Sequence, residues 1–436
     1  MPLVQPFRAL RYASEAVPDL AAVVAPPYDV IDPEQRRSLA GRDPRNVVRL
    51  DLPSAEPGDE PDERYRRAAR QLSAWRTDGT LHRDPRPSLY PYEQVFRVPG
   101  TDVERHRRGV FARVRLEPFG KGSGIRPHER TLSEPKEDRY RLLRATNVNT
   151  SPVVGLYDDP SRTVPEWLAG FEAEPLAELV DGYGIGHRLW RVEAEPGSDV
   201  PRICERIGAG PITLADGHHR YETALRYRDE RQAGSPAAED PGWAAILMLL
   251  LEPVAGPLTV LATHRVVTGL GATALEVFRD RLAELFDVEA TPDGEALART
   301  FRVAALGEGG RGRFGLWTAS GGAILRGRRE AFGPYLPAGG PALRRLDVTL
   351  AGVALERLAG VDPDAVAGGA LRYTKDAAEA VHWVDEGREG AALALLLEPT
   401  PESAIIAVAA DGDVMPQKST YIHPKALTGL VVNPLE

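Results

Sequence analysis

The longest run of apolar residues in the chain, WAAILMLLL at positions 243–251, limits the folds that this sequence can adopt. It has nine residues and ends at Glu252 and Pro253. A helix that crosses a membrane needs about twenty apolar residues, so this run is too short. A short apolar run with turn-forming residues at its end is typical of a strand buried on both faces. We therefore expect a soluble protein that has a buried sheet and does not bind membranes.

The length of 436 residues predicts more than one hydrophobic core. Segments with strand-like alternation and segments with helical spacing are mixed along the chain, which predicts an α/β (α+β) fold. After residue 268, an amphipathic helix and glycine-rich strands follow without a cluster of reactive side chains. We expect a core of residues 1–268, an accessory α/β domain of residues 269–368, and a C-terminal segment, 369–436, that returns to the core.

Charge and cysteine content exclude several classes of protein. The net charge is −9, whereas binding to DNA, RNA or anionic lipid needs clustered Lys and Arg. A single cysteine, Cys204, excludes internal disulfides and Cys-rich metal sites. From the net charge we expect that the protein binds no nucleic acid. The N-terminus MPLVQPFRALRY lacks the features of a signal peptide, so we expect a cytoplasmic protein. The oligomeric state is open, with a homodimer as one alternative.

The segment GPITLADGHHRYETAL predicts a strand, a turn at Gly217 and a helix that starts at His218. A helix start offers unpaired N–H groups and a positive dipole end, which together favour an anion. Gly217 lets a phosphate approach the backbone, and His218, His219 and Arg220 add donors. We interpret this box as a phosphate site. The alternatives are histidines that only pack, and a metal site, although adjacent helical histidines chelate one ion poorly.

A second cluster, GSGIRPHERTLSEPKEDR at 122–139, contains His128 and Glu129 among mostly basic neighbours. A carboxylate among cations stays ionised and can act as a base toward a hydroxyl. The alternative is a surface loop on which Glu129 pairs with Arg126 or Arg130.

A third cluster, MPQKSTYIHPK near the C-terminus, contains Lys418, Ser419, Thr420 and Lys425. Ammonium and hydroxyl groups suit the recognition of phosphate or carboxylate, although an edge strand with a solvated lysine is the simpler alternative. Upstream, APPYDVID places Tyr28 and Asp29 after two prolines, as a stiff turn or as ligand contacts.

Together the segments PPYDVI, RPHERTL, KEDRYRLLRATNVNTSPV, ADGHHRYETAL and KSTYIHPKALTGLVVNPLE resemble the family called domain of unknown function 1015, over nearly the whole chain. The segment DGHHRYETA is similar to a box of the ParB/sulfiredoxin-like superfamily, in which a Gly-x-x-Arg helix start binds nucleotide phosphates. Free serine kinases of that superfamily carry a catalytic glutamate in a Pro-x-Glu segment upstream of such a box. RPHER followed by ADGHHR has the same order.

This resemblance implies a ParB/sulfiredoxin-like nucleotide-binding core. This sequence differs from two members of the superfamily, and the differences exclude their activities. Sulfiredoxin has its reactive cysteine where this chain has His218, and the helix-turn-helix domain and basic surface of ParB proteins are not visible. A nucleotide-phosphate site beside a carboxylate base remains, and that combination favours phosphoryl transfer.

We therefore expect a small-molecule kinase that uses ATP or another nucleotide (ADP and CTP are alternatives) with Mg²⁺. The resemblance implies free L-serine or a similar hydroxy amino acid as acceptor. The assigned roles fall into three groups: Glu129 and Asp216 are catalytic, with Asp216 also a candidate Mg²⁺ ligand; Gly217, His218, His219, Arg220, Lys418, Ser419 and Thr420 bind the nucleotide; His128, Tyr28, Asp29 and Lys425 bind the acceptor.

Two rival functions use the same residues. One is a non-catalytic or slowly hydrolysing nucleotide-binding protein that acts as a switch or scaffold. The other is a metal-dependent hydrolase built on His128, His218 and His219. A kinase needs Glu129 to face the acceptor site, whereas a binding protein does not.

Overall fold

The computed structural model describes residues 1–129, 131, 133–171, 174–234, 240–253, 258–302 and 312–436. Helices and strands are mixed along these residues, which confirms the predicted α/β class. None of the helices described there is both long enough and apolar enough to cross a lipid bilayer.

The strands, in chain order, are β1 Val4–Gln5, β2 Leu10–Tyr12, β3 Leu81–Arg83, β4 Ser88–Arg97, β5 Glu104–Arg115, β6 Ile125–Arg126, β7 Val148–Asn149, β8 Val153–Leu156, β9 Ala177–Val180, β10 Gly186–Leu189, β11 Val192–Glu193, β12 Ile212–Asp216, β13 Ala245–Leu251, β14 Thr259–Leu261, β15 His264–Thr268, β16 Phe286–Thr291, β17 Arg313–Thr318, β18 Gly321–Gly327, β19 Leu371–Thr374, β20 Ala391–Leu397, β21 Tyr421–His423 and β22 Asn433–Pro434. The α-helices are α1 Pro33–Arg42, α2 Val48–Asp51, α3 Glu63–Thr77, α4 Ser133–Thr146, α5 Thr163–Ala169, α6 Val200–Ile207, α7 His218–Gly234, α8 Ala272–Arg281, α9 Gly294–Arg302, α10 Arg329–Phe332, α11 Pro341–Arg344, α12 Asp347–Ala359, α13 Pro363–Ala367, α14 Ala377–Asp385 and α15 Glu402–Ala410.

The larger sheet has ten strands in the part of the chain that the structure describes. Eight of them lie side by side in the order β6, β12, β8, β13, β5, β4, β10 and β9, while β1 pairs with β5 and β11 pairs with β4. β12 runs parallel to β6 and β13 runs parallel to β8, whereas β12 with β8 and β13 with β5 are antiparallel. The sheet is therefore mixed, and the end of β12 lies next to the start of β8.

β13 contains most of the apolar run, and all seven of its residues are buried, as predicted. Side chains alternate across a strand. Ile246, Met248 and Leu250 accordingly pack into one hydrophobic cluster, and Leu247 and Leu249 pack into another on the opposite face. Full burial of such a side chain contributes about 1.5–3 kcal/mol, so β13 holds the two layers of the core together.

Among the described residues, the second sheet has six antiparallel strands in the order β16, β18, β17, β20, β15 and β19. It contains β15, from the segment assigned above to the core, and β19 and β20, from the segment assigned to return to it. The six-stranded sheet therefore includes strands from both sides of the expected boundaries at residues 268 and 368. Val267 pairs with both Leu371 and Leu393, which are distant in sequence, and local patterns carry no information about such pairing.

The last part of the chain lies against the larger sheet and its helices. β21 pairs with β14, β22 pairs with β7, and Thr428 bridges Ala25. The N–H of Met415 donates to the carbonyl oxygen of His128 at 2.7 Å. These contacts bring the C-terminal motif beside the end of β12 and the start of α7.

Candidate functional site

A strand, a glycine and a helix meet at ADGHHR, as the sequence predicts. β12 ends at Asp216 and α7 begins at His218. Gly217 between them has a φ of 87°, a left-handed conformation that costs free energy for a residue with a Cβ. A Cβ here would also lie 3.0 Å from Nε of Arg220. The glycine therefore permits the tight turn from which α7 presents its first N–H groups.

Asp216 lies at the centre of a largely buried cluster of charges. One carboxylate oxygen pairs with Arg220 at 2.8 Å, and the other pairs with Nζ of Lys425. Burial alone would raise the pKa of Asp216, but Lys425 and Arg220 outweigh it and hold that pKa well below its usual value. Asp216 is therefore an ionised carboxylate whose two oxygens are both engaged.

Arg220 fixes the helix start to the neighbouring strand. In addition to its pair with Asp216, its guanidinium donates to Oγ of Ser151 at 2.5 Å and to the carbonyl oxygen of Pro152. Only 11% of its side chain is exposed. Three acceptors thus hold the group that we expected to bind phosphate, and it contributes a fixed positive charge to the site.

His128 and His218 form a neutral pair beneath the turn. Nδ1 of His128 donates to the carbonyl oxygen of Leu214, and its Nε2 accepts from Oγ1 of Thr420 at 3.0 Å. The backbone N–H of His128 donates to Nε2 of His218 at 3.2 Å. Burial lowers the pKa of His128 to about 4 and lowers the pKa of His218 well below its usual value. Both rings are therefore uncharged near neutral pH. They also contact each other edge to face, with ring centres 4.6 Å apart.

These bonds argue against the metal-dependent hydrolase. A metal-binding imidazole needs a nitrogen lone pair, and the Nε2 lone pairs of His128 and His218 each already accept a hydrogen bond from a protein donor. Among the residues that the structure describes, no group of three or more His, Cys, Asp or Glu is placed to hold a metal ion.

Glu129 is the carboxylate most suited to take a proton. It bridges to Met415, and its Oε1 accepts the backbone N–H of Lys418 at 3.0 Å. Lys418 has a φ of 55°, so the chain adopts a strained conformation where it meets Glu129. Burial raises the pKa of Glu129 to about 7, although the nearby lysines oppose the change. A base with a pKa near the working pH is well matched to proton transfer.

These groups surround one cavity of about 510 Å³. Eleven of the thirteen residues assigned from the sequence line it: Tyr28, Asp29, Glu129, Asp216, Gly217, His218, His219, Arg220, Lys418, Thr420 and Lys425. The volume lies within the usual range of about 300–1,000 Å³ for small-molecule sites. We call this space the inner cavity.

Two of the assigned residues, Ser419 and His128, are not among those that line the inner cavity. Ser419 is 2% exposed. Its hydroxyl donates to the carbonyl oxygen of Pro416 at 2.5 Å, and its own carbonyl accepts from Oγ1 of Thr400 at 2.8 Å. Ser419 thus stabilises the loop that carries Lys418. His128 holds the hydroxyl of Thr420, which does line the cavity.

Tyr28 and Asp29 line the same cavity from a short 3₁₀ helix at Tyr28–Val30. The guanidinium of Arg139 lies over the ring of Tyr28, 4.2 Å from its centre. Burial raises the pKa of Tyr28 to about 12, so its hydroxyl stays protonated. Asp29 is exposed in the cavity.

Lys425 is positioned by two buried side chains, Gln94 of β4 and Arg107 of β5. Nε2 of Gln94 donates to the carbonyl oxygen of Lys425 at 3.0 Å, and Arg107 donates to the carbonyl oxygens of His423, at 3.2 Å, and Pro424. Burial lowers the pKa of Arg107 to about 10. Three successive carbonyls are thereby fixed, and the Lys425 side chain meets Asp216.

Several lining residues were missed by sequence reasoning, namely Val30, Ala215, Thr263, Leu371, Arg372, Tyr373, Thr374, Lys375 and Tyr421. Most of them lie on or beside β19 of the six-stranded sheet, and no motif marks that segment. A larger space of about 1280 Å³, here called the outer cleft, shares Val30, Thr374, Lys375, Tyr421 and Lys425 with the inner cavity. The two spaces are therefore neighbours.

The family model described as "Protein of unknown function (DUF1015)" matches residues 4–349. No curated protein is similar enough to count as a match. Among solved structures, a free serine kinase in complex with AMP is similar at 13% identity and a TM-score of 0.35, over 75% of this chain and 90% of that one.

Two further structures show likeness of the same order. A conserved hypothetical protein from Pyrococcus furiosus is 14% identical, with a TM-score of 0.34 over 72% of this chain and 90% of that one. SbnI with a C-terminal truncation, from Staphylococcus aureus, is 10% identical, with a TM-score of 0.34 over 70% of this chain and 82% of that one.

Proposed function

This chain belongs to the DUF1015 family of proteins of unknown function, and we propose that it is a nucleotide-dependent small-molecule kinase. It would transfer a phosphoryl group to the hydroxyl of a free amino acid such as L-serine, the acceptor implied by the sequence motifs. The phosphoryl donor would be ATP, ADP or CTP.

The observation that carries this proposal is the position of Glu129. Its carboxylate lies on the wall of a cavity that also holds a helix start and several cations, and burial raises its pKa to about 7. A protein that only binds a nucleotide does not need a base in that position. Removal of a proton from an acceptor hydroxyl typically accelerates a reaction by about 10²–10⁴.

The start of α7 supports binding of the nucleotide phosphates. Gly217 and the first residues of the 17-residue helix line the cavity, so a phosphate bound there would meet the positive end of the helix dipole and its first N–H groups. His219 is half-buried on the same wall. Arg220 and Lys425 hold fixed positive charges behind them, which suits a reaction that depends on positioning and electrostatics.

The residues present fit magnesium only as an ion carried by the nucleotide. Asp216 has both oxygens in ion pairs, so it is a poorer ligand than the sequence suggests. Asp29 lines the same cavity and is exposed, which makes it the better candidate to contact such an ion. Mg²⁺ usually keeps several waters and binds through one or two carboxylates and substrate phosphates, where it neutralises developing charge.

The proposal is tested by incubating the protein with ATP, ADP or CTP, Mg²⁺ and each common hydroxy amino acid, and recording phosphorus NMR spectra. A new phosphomonoester signal that requires both nucleotide and acceptor is the expected result. Nucleotide binding without transfer to any acceptor would contradict a kinase and favour the nucleotide-binding switch.

A further inference from the structure

Lysine is rare in this chain. Of its 54 basic residues, five are lysines: Lys121, Lys136, Lys375, Lys418 and Lys425. Three of these five line the inner cavity. Arginine occupies nearly every other cationic position, so this cavity is where the chain concentrates ammonium groups. An ammonium is a compact point charge with three donors, whereas a guanidinium is planar and prefers two parallel bonds.

Lys375 reaches this group from the six-stranded sheet. It follows β19 directly, and its Nζ lies 4.2 Å from the centre of the Tyr421 ring. Nζ of Lys425 lies 4.6 Å from the same ring centre. Tyr421 therefore holds two ammonium groups near each other through cation–π contacts.

Cationic side chains outnumber carboxylates on the described wall of the inner cavity, which has Arg220, Arg372, Lys375, Lys418 and Lys425 against Asp29, Glu129 and Asp216. Lys425 pairs with Asp216, but Asp216 is shared with Arg220. Neither Lys375 nor Lys418 has a carboxylate within ion-pair distance among the described residues, and both are exposed to the cavity. Partial burial and the charge of Lys425 lower the pKa of Lys375, although the carboxylates of Glu379 and Asp29 oppose the change.

We infer that Lys375, Lys418 and Lys425 form a binding site for a multiply charged oxyanion, and that the six-stranded sheet completes this site by supplying Lys375. The assignment of the anion rests on the proposed function: the terminal phosphates of the nucleotide provide it. An acceptor carboxylate has the same chemistry, and Lys375 also lines the outer cleft, so both sources reach it. The six-stranded sheet thereby takes a direct part in ligand binding.

The test compares wild type with Lys375→Gln, Lys375→Arg and the control Lys121→Gln, whose lysine is exposed and does not line the cavity. Calorimetric titrations use AMP, ADP, ATP and pyrophosphate. Loss of a charge-assisted hydrogen bond weakens binding about tenfold. We expect that loss in Lys375→Gln for ADP, ATP and pyrophosphate, a smaller loss for AMP, partial recovery in Lys375→Arg, and none in the control.

A second arm distinguishes the two sources of the anion. L-serine and L-serinamide are titrated in the presence of saturating ADP. Weaker binding of L-serine alone in Lys375→Gln would assign the site to the acceptor carboxylate. Unchanged affinity for every oxyanion in Lys375→Gln, or a wild type that binds none of them, would overturn the inference. Because binding is read directly, a protein that binds but does not transfer phosphate contradicts the kinase and leaves this site standing.

Discussion

Replacing Asp216 by asparagine removes the negative charge that lies between Arg220 and Lys425. Asparagine keeps the size of the side chain and one oxygen, so the packing is preserved. The Asp216 side chain is 14% exposed, and those of its two partners are 11% exposed. Both cations would remain in the folded protein without their shared counter-ion.

The cost follows from that burial. Removing one partner of a buried ion pair typically costs about 3–5 kcal/mol, because the other charge is left uncompensated. We expect a loss of that order in the free energy of unfolding for Asp216→Asn. The control is Glu295→Gln, which breaks a pair with Arg299 whose side chains are 81% and 55% exposed. Exposed pairs contribute about 0–1 kcal/mol, so the control should remain close to wild type.

The effect also has a defined pH dependence. The pKa of Asp216 is lower in the folded than in the unfolded chain, so its contribution is present in full above the unfolded pKa of about 3.9. That contribution is lost as the pH falls below this value toward the folded pKa. The stabilities of wild type and Asp216→Asn should therefore converge below about pH 4.

The assay is urea unfolding of wild type, Asp216→Asn, Lys425→Met and the double variant. Residues in contact show coupling, so the double variant should lose less than the sum of the single losses. A midpoint for Asp216→Asn equal to that of wild type, or strict additivity in the double variant, would refute the electrostatic reasoning.

Other substitutions in the inner cavity separate binding from folding. His219→Ala should weaken nucleotide binding by about 1.5–3 kcal/mol with an unchanged thermal midpoint, as calorimetry and thermal melting can check. Arg220→Ala should lower the thermal midpoint as well, because three acceptors lose their donor. Gly217→Ala should weaken nucleotide binding and lower the thermal midpoint, since a φ of 87° is strained for alanine. The transfer rate should rise with pH through about 7 and then level off as Glu129 loses its proton; a rate that does not vary with pH would argue against that base.

The strand, turn and helix at ADGHHR could be predicted because their determinants are local. Gly217 marks the turn, and the residues after it carry helical spacing. The roles of individual side chains within the motifs were harder to predict. Ser419 is buried and Arg220 is bound by three acceptors, and both facts depend on the path of segments distant in sequence. Tautomers of His128 and His218 likewise depend on tertiary partners.

Lys375 was missed because it belongs to no motif and reaches the cavity through the pairing of β19 with β15. Such pairing brings together strands that are distant in sequence but adjacent at one edge of the six-stranded sheet, and the local pattern does not encode it. The rarity of lysine was nevertheless visible in the sequence, and it marks Lys375 together with Lys418 and Lys425.

The central claim is that Glu129 takes the proton from the acceptor, and Glu129→Gln tests it most directly. Glutamine can still accept the N–H of Lys418 but is not a base. Glu222→Gln is the control, because Glu222 pairs with Lys136 and is not among the residues that line the inner cavity. Transfer rate and nucleotide affinity are measured on the same preparations. We predict a fall of about 10²–10⁴ in the transfer rate of Glu129→Gln, with nucleotide affinity unchanged or slightly higher and the control unaffected. Equal transfer rates in wild type and Glu129→Gln would contradict the account.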